Sequence, residues 1–308
     1  LGVPNGTAVG VSNCTNALIL ALEAILGKNS KKKVFVPEFT AFPTAEAVWS
    51  VGAIPIPIPV NHLTNNIDPY LIPNFRDVAG IIVVHLFGLP VNMETIYNRV
   101  PKDKFIIEDC AQALGSQYRN HTDDKWHKTG SDIRTNASCY SFYPTKNITT
   151  GGDGGMVVSQ HNSIYEYCRL FRNHCIEGNT WNHTGIGHNF RLGEINAAIG
   201  IEQLKKLGKF IMQRSAYALI YLELLKNARL DEFFILPEYG DDTLHSYHLF
   251  SLGITERLHE FIGPNTYRIN DKMAELGILL GRHYPYRIGT SIVQPLIYDH
   301  KFDNISLP

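Results

Sequence analysis

Short apolar runs alternate with helix-like patterns through the first two thirds of the chain, and this alternation constrains the fold more than any other feature. Apolar, β-branched strand candidates occupy residues 34–36, 54–58, 81–86 and 105–107. Apolar residues at helical spacing occupy residues 16–26, 44–51 and 92–99. Alternating elements of this kind form a mainly parallel sheet with helices on both faces, and such sheets bind ligands at the carboxyl ends of their strands. We therefore predict an α/β fold.

A long helical pattern follows, from residue 192 to residue 226, with Gly200 and Gly208 as interruptions. A helix of that length, or a broken pair of helices, commonly connects two domains. At roughly 100–200 residues per domain, a chain of 308 residues predicts about two domains. We predict a large domain over residues 1–205 and a smaller α+β domain over residues 206–308.

Composition excludes several classes of protein. A formal net charge of −1 argues against a nucleic-acid-binding protein that relies on bulk electrostatics. No apolar run approaches the ~20 residues that a membrane span needs. The five cysteines show no C-x-x-C spacing and the 13 histidines no H-E-x-x-H spacing, so no metal site is predicted. Buried free thiols indicate a reducing compartment, and we expect a cytoplasmic protein.

The sharpest local feature is the segment Ser-Phe-Tyr-Pro-Thr-Lys-Asn at 141–147, which precedes the glycine-rich segment 151–155. A lysine between an apolar strand and such a turn can be held in a partly dry site. Desolvation and nearby cationic groups lower the pKa of a lysine, which makes its neutral amine available for Schiff-base chemistry. Taken alone, Lys146 is more simply interpreted as a surface lysine in a turn.

A second feature is the apolar strand at 105–107 that leads into Glu108 and Asp109. A strand delivers an acid to its carboxyl end, where α/β sheets bind ligands. An enzyme that uses pyridoxal 5'-phosphate needs a carboxylate against the pyridine nitrogen of the cofactor, and Asp109 suits that role. Glu108 should point to the other side of the strand. A helix N-cap is an equally good interpretation of Asp109 from these residues alone.

A third feature is the segment at 11–18, in which small and hydroxyl-bearing residues open a helix. The backbone N–H groups there and the Thr15 hydroxyl can bind a phosphate at the helix N-terminus. Helix capping alone explains the segment as well.

Taken together, these segments resemble the DegT/DnrJ/StrS sugar aminotransferases, which are pyridoxal-phosphate enzymes of the aspartate aminotransferase fold (fold type I). The order and spacing of the segments agree over nearly the whole chain, and SFYPTKN with GDGG is the most specific part. The matching segments are 9–22, 34–53, 85–90, 108–115, 141–158, 171–174, 185–207 and 283–285.

The resemblance implies a role for several residues around the cofactor ring. Lys146 would carry the cofactor as a Schiff base and move protons. Asp109 would pair with the pyridine nitrogen, and Gln112 would contact the ring hydroxyl. His283 would lie on the substrate side.

The resemblance also implies a phosphate site and a homodimer. Thr15, with the backbone amides of Cys14 and Thr15, would hold the phosphate together with Ser141. Asn189 would reach the phosphate bound in the partner subunit, so that the two active sites are shared. Alternatively, Asn189 satisfies backbone groups of its own turn.

Two departures from the family pattern bear on these expectations. Ala41 stands where family members commonly have an aromatic residue that stacks on the cofactor ring, and Phe42 is the alternative for that contact. Family chains also run farther at both ends, so we expect this sequence to be a central portion of a longer chain.

The function implied is transfer of an amino group from L-glutamate to a nucleotide-linked keto-sugar, with a 4-keto-6-deoxyhexose as the expected acceptor. Related dehydratases have histidine in place of the lysine, and Lys146 argues against that activity. Amination of another keto-sugar or of a cyclitol ketone is an alternative, as is a catalytically inactive binding or regulatory homologue.

Overall fold

The computed structural model describes residues 7–178, 181–237, 239–262, 267–284 and 287–288. The strands are β1 (Ala8–Val11), β2 (Lys33–Pro37), β3 (Ile54–Ile58), β4 (Val78–Val84), β5 (Phe105–Asp109), β6 (Gln117–Asn120), β7 (Lys125–Lys128), β8 (Ala137–Ser141), β9 (Gly155–Val158), β10 (Phe234–Ile235), β11 (Thr243–Leu244) and β12 (Gly253–Ile254). The α-helices are α1 (Cys14–Leu26), α2 (Pro43–Ser50), α3 (Met93–Arg99), α4 (Asn162–Phe171), α5 (Glu194–Leu204), α6 (Leu207–Asn227), α7 (Glu256–Ile262) and α8 (Tyr267–Glu275).

The central element is a seven-stranded sheet with the strand order β1-β9-β8-β5-β4-β2-β3. The neighbours from β8 to β3 are parallel, whereas β9 is antiparallel to both β8 and β1. Residues 142–154 connect β8 to β9 without a helix between them, and β9 returns antiparallel to β8. The predicted α/β fold with a mainly parallel sheet is confirmed.

Side chains of successive strand residues enter two separate cores, one on each face of the sheet. In β2, Val34 and Val36 pack with α1, α2 and α4, whereas Phe35 packs with α3. This alternation follows from the two-residue period of a strand. Helix α1 lies within the first core, where Leu18, Leu20 and Leu22 are at most 1% exposed. The carboxyl ends of the strands therefore form an edge between two covered faces.

The sequence patterns at β2 to β5 and at α1 to α3 predicted these elements to within a few residues. They did not predict the β6–β7 hairpin or α4. The hairpin strands are short and polar (QYRN and KWHK), so they lack an apolar pattern. In α4 only Ile164 and Cys168 are buried, which is a weak signal for a helix.

The long helical pattern at 192–226 is a broken pair, because α5 ends at Leu204 and α6 begins at Leu207. The predicted domain boundary between residues 205 and 206 falls in this break. The division into two domains stays a prediction, and residues 289–308 of the smaller domain lie outside the described residues. No helix in the described part of the chain is long and apolar enough to span a membrane.

Truncation of Leu20 tests the contribution of α1 to the fold. Leu20→Ala removes a fully buried side chain and should lower the free energy of unfolding by about 2–5 kcal/mol, since it leaves a cavity. Urea unfolding followed by circular dichroism measures the change. Leu71→Ala, at a side chain that is 54% exposed, is the control and should change stability far less. Equal effects of the two variants would contradict the described core.

Candidate active site

Three segments that carry predicted site residues end at the same edge of the sheet. Asp109 is the last residue of β5 and Ser141 the last residue of β8, and these strands are parallel neighbours. Cys14 is the first residue of α1, which follows β1. Carboxyl ends of neighbouring parallel strands are where α/β sheets bind ligands.

Gly155 brings Ser141 close to the N-terminus of α1. In the strand register, Gly155 is opposite Ser141 on one side and Val11 on the other. A Cβ atom at this position would lie 2.4 Å from the carbonyl carbon of Asn13 and 2.7 Å from the amide nitrogen of Cys14. Only glycine allows this approach, which explains why the GDGG segment ends in a glycine at position 155.

The N-terminus of α1 is capped by Asn13, not by Thr15. The Asn13 side chain accepts a hydrogen bond from the Asn16 amide at 2.8 Å. Within the described residues, no acceptor contacts the backbone N–H groups of Cys14 and Thr15. Free N–H groups at a helix N-terminus attract anions, so the geometry suits the predicted phosphate site.

Asp109 is a buried carboxylate that is hydrogen-bonded on both oxygens. Oδ2 accepts from the Thr44 hydroxyl at 2.9 Å and Oδ1 from the Ala111 amide at 3.1 Å. Burial raises the pKa of the carboxyl, and these two hydrogen bonds oppose the shift. The element that follows Asp109 is the strand β6 and not a helix, so the N-cap interpretation is wrong.

Lys146 lies in the loop between β8 and β9, and its amine is half-buried. The loop is closed by hydrogen bonds from the Phe142 amide to the Gly154 carbonyl at 2.8 Å and from the Lys146 amide to the Tyr143 carbonyl at 2.9 Å. Burial lowers the pKa of the amine, and the negative charge of Asp109 opposes the shift. The structure thus gives Lys146 a partly dry setting near Asp109. The main cause of the shift is burial, not nearby cations.

Gln112 is 8% exposed, and its amide joins two other parts of the site. Oε1 accepts from the Phe87 amide at 2.6 Å, and Nε2 donates to the Tyr284 hydroxyl at 2.8 Å. Nε2 carries a second N–H, which can donate a hydrogen bond to the cofactor ring as predicted.

His283 and His248 add basic groups near Lys146. Burial and the charge of Lys146 lower the pKa of His248 to about 3, and partial desolvation with the same charge lowers the pKa of His283. The Nδ1 atom of His248 is buried without a hydrogen-bond partner in the described residues. His283 is exposed and packs edge-on against Phe87, with a centroid distance of 6.2 Å. Both histidines are therefore neutral ring donors or acceptors at this edge near pH 7.

Asn189 is exposed, and its side chain makes no hydrogen bond with any described residue. Its backbone forms an isolated bridge with Asn173. No hydrogen bond among the described residues supports the alternative role, in which the Asn189 side chain satisfies its own turn, and both roles stay predictions.

The ring of Phe42 packs against no aromatic ring of the described residues, and Ala41 has no ring to stack. Ala41 is half-buried, and the Phe42 side chain is 38% exposed at the start of α2. The choice between them for the stacking contact stays a prediction.

Glu108 points to the opposite side of β5 from Asp109, as predicted. Its carboxylate bonds His85 at 2.8 Å and accepts from the Gly130 amide at 2.7 Å. His85 Nδ1 accepts from the Val91 amide at 3.0 Å, so Nε2 carries the proton given to Glu108. His85, Glu108 and Cys110 form the one three-ligand group among the described residues. The hydrogen bonds already made by His85 and Glu108 indicate a structural network there.

The sequence analysis missed three residues that contact or face the predicted ones, namely Thr44, Tyr284 and His248. Thr44 and Tyr284 lie inside segments that match the family, but neither stands in a motif of its own. His248 lies outside the matched segments. Proximity to Asp109, Gln112 and Lys146 was visible only once the chain was folded.

In sequence, the chain is similar to known sugar aminotransferases. A family model described as the DegT/DnrJ/EryC1/StrS aminotransferase family matches residues 2–305. A UDP-N-acetyl-3-dehydro-alpha-D-glucosamine 3-aminotransferase of Acidithiobacillus ferrooxidans is 35% identical over 263 residues, which are 83% of this chain and 66% of that protein. A GDP-perosamine synthase of Escherichia coli O157:H7 is 34% identical over 250 residues, or 80% and 64% of the two chains. The chain thus spans about two thirds of the length of these relatives.

Solved structures agree with this placement. DesV from S. venezuelae, solved in complex with a ketimine intermediate, has a TM-score of 0.82 at 30% identity. The match covers 98% of this chain and 75% of the DesV chain. NtdA from Bacillus subtilis, solved with bound cofactor PMP, has a TM-score of 0.78 at 26% identity over 98% and 65% of the two chains. From the family model, the identities and the shared fold, it follows that this chain belongs to the DegT/DnrJ/EryC1/StrS aminotransferase family.

Proposed function

We propose that this chain acts as a pyridoxal-phosphate-dependent aminotransferase that moves an amino group from L-glutamate onto a keto-sugar attached to a nucleotide. The observation that carries the proposal is the half-buried Lys146, whose amine interacts electrostatically with the buried carboxylate of Asp109 at the binding edge of the sheet. A perturbed amine next to a buried carboxylate and free helix N–H groups is what this chemistry needs.

The residues present fit pyridoxal 5'-phosphate. Asp109 is buried, and no Lys, Arg or His among the described residues lies within ion-pair distance of its carboxylate. A protonated pyridine nitrogen would supply the missing charge partner. The N–H groups of Cys14 and Thr15 would hold the phosphate, with the Thr15 and Ser141 hydroxyls beside them. When bound, the cofactor supplies an aldehyde that condenses with amines and a ring that accepts an electron pair.

Lys146 and Asp109 have separate tasks in this reaction. As a neutral amine, Lys146 Nζ accepts the α-proton of the amino donor and returns a proton when the keto-sugar is aminated. Because burial lowers its pKa, a larger fraction of the amine is neutral near pH 7 than for an ordinary lysine. Asp109, fixed by Thr44, keeps the ring nitrogen protonated.

The acceptor class rests on the family and on the names of the relatives. The two curated relatives differ in nucleotide, one being named for a UDP-sugar and the other for a GDP-sugar. The resemblance favours a 4-keto-6-deoxyhexose. Another keto-sugar or a cyclitol ketone would use the same residues around the cofactor, so these remain the alternative acceptors.

A catalytically inactive regulatory homologue is the second candidate function. Ala41 favours it, because the family's stacking ring is absent at that position. The set Lys146, Asp109 and Gln112 argues for catalysis, since a binding scaffold has no need of a perturbed lysine beside a buried acid.

We further propose a homodimer with shared active sites. Asn189 is exposed, without a hydrogen-bond partner for its side chain among the described residues, so it is free to reach another subunit. Helix α5 has no buried residue, and both α5 and α6 expose large apolar side chains, which indicates a protein interface. These side chains include Ile195, Ile201, Leu204, Met212, Tyr217, Leu219, Ile220, Tyr221 and Leu224.

A cytoplasmic location is part of the proposal. All five cysteines are free and buried, as the sequence predicted. Unpaired thiols are usual in a reducing compartment.

Loss of the Lys146 amine tests the assignment of the cofactor site. Borohydride treatment of the protein with pyridoxal phosphate should fix the cofactor covalently, and peptide mapping should find it on Lys146. Lys146→Ala should abolish both the covalent product and transamination. Lys128→Ala, at an exposed strand residue, is the control and should leave both unchanged. A covalent product that persists in Lys146→Ala would overturn the assignment.

Removal of the Thr44 hydroxyl tests the tuning of Asp109. Thr44→Val deletes a hydrogen bond that lowers the pKa of Asp109, so that pKa should rise further. Because the ionised carboxylate is required, the acid limb of the turnover–pH profile should shift to higher pH, with turnover near neutral pH about tenfold lower.

Thr40→Val is the matched control, because Thr40 contacts Thr44 but not Asp109. It should move the acid limb much less. An unchanged acid limb in Thr44→Val would count against the proposed role of Asp109.

A substrate screen tests the acceptor. The intact protein should release 2-oxoglutarate from L-glutamate when it is given a nucleotide-linked 4-keto-6-deoxyhexose, and mass spectrometry should identify the amino-sugar. A 3-keto-sugar and a cyclitol ketone serve as competitors. Turnover only with one of these would replace the acceptor but keep the reaction class.

A further inference from the structure

A hydrogen-bonded pair, the half-buried His188 and the buried Glu23, connects the loop that carries Asn189 to helix α1 of the same chain. His188 Nε2 lies 2.9 Å from Oε2 and 3.1 Å from Oε1 of Glu23. Glu23 is the only charged residue of α1 and is 5% exposed. A buried carboxylate is stable only with good partners, so α1 depends on His188 for this position.

Further contacts fix both members of the pair. The Tyr167 hydroxyl, from α4, donates to Glu23 at 3.3 Å. The His188 ring stacks flat on Phe190, with centroids 4.3 Å apart and an interplanar angle of 1°. The amine of Lys28, two residues after the end of α1, donates to the Ile186 carbonyl at 2.7 Å. The loop is thus held from two sides.

Backbone hydrogen bonds connect the same loop to the phosphate side of α1. The amides of His188 and Phe190 donate to the carbonyls of Phe171 and Arg172 at 2.7 and 2.8 Å. The Ser12 amide donates to the Phe190 carbonyl at 2.8 Å, two residues before Cys14. The loop therefore runs beside the helix end that faces the phosphate site of its own subunit.

This anchoring sets the direction of Asn189. Residues two apart in an extended, bridged segment share one side, and the residue between them faces the other. His188 and Phe190 both turn inward and are half-buried, whereas Asn189 is exposed. The two inward rings force the asparagine side chain outward.

We propose that Glu23 and His188 are positioning residues that present Asn189 to the cofactor phosphate of the partner subunit. The inference rests on the proposed function, in which Asn189 completes a shared site. The pair touches neither cofactor nor substrate, and it acts on the partner's cofactor affinity by holding Asn189 in place before binding. A loop that is ordered in advance avoids the entropy loss on binding, so loss of the pair should weaken cofactor affinity about tenfold.

The test uses the double variant Glu23→Gln/His188→Phe in the intact protein. It removes the tie without leaving an unpaired buried charge, and Phe preserves the stack on Phe190. Titration of the apoprotein with pyridoxal phosphate, followed by absorbance, should give a dissociation constant raised about tenfold. Tyr167→Phe is the matched control, because it removes a hydrogen bond from Glu23 but leaves the tie to the loop, and it should bind as the wild type does. Wild-type affinity in the double variant would overturn the proposal.

Mixed dimers separate positioning across the interface from damage within a subunit. When the double variant is mixed with Lys146→Ala subunits, the one site with a competent lysine receives Asn189 from an intact loop. That site should recover wild-type affinity and borohydride labelling. If the weakening persists there, the pair acts on its own subunit through α1, and the proposal falls.

Asn189→Ala tells apart a failure of this inference and a failure of the proposed function. Weak cofactor binding in Asn189→Ala with normal binding in the double variant would overturn the positioning role alone. Normal binding in the Asn189→Ala homodimer would overturn the shared phosphate site and the inference with it. Weak binding in both, rescued in mixed dimers, supports both.

Discussion

The close approach of Gly155 to the backbone of Asn13 and Cys14 is the constraint on which the site depends. It lets β9 lie between β1 and β8, although β9 runs against both. Ser141 and the start of α1 are brought together by that strand, and the loop that leads into it carries Lys146. A side chain at this position would push the helix end away from the strand. The N–H groups proposed to hold the phosphate and the amine of Lys146 would then no longer belong to one site.

Strand β5 shows how neighbouring residues serve two different needs. Asp109 faces the binding edge and Glu108 the opposite side, because side chains alternate along a strand. The Glu108 carboxylate forms hydrogen bonds with His85 and the Gly130 amide, so residues of the fold itself stabilise its charge. Asp109 has only neutral donors in the described residues, which leaves its charge available to a ligand. Two adjacent acids are thus distinguished by their partners alone.

Local patterns predicted much of this fold, since apolar strands and helices report their own burial. They placed β2 to β5 and α1 to α3, and the spacing of Asp109 and Lys146 within a family pattern identified the candidate site. Contacts that depend on distant residues were not predictable in this way. Thr44 and Asp109 are 65 residues apart, and Gln112 and Tyr284 are 172 apart, so neither pair leaves a local signal. The direction of Asn189 likewise depends on contacts that form only in the folded chain.

The pair formed by Glu23 and His188 also has a consequence for the order of folding. The two residues are 165 positions apart, so their contact is among the non-local ones that form slowly. Until the later segment has been synthesised, α1 carries a carboxylate that disfavours its burial, and its packing stays incomplete. We therefore expect α1 to complete its packing only after the loop that carries Asn189 has been synthesised. Helix α1 and the loop that carries Asn189 would then reach their final packing in a single folding step.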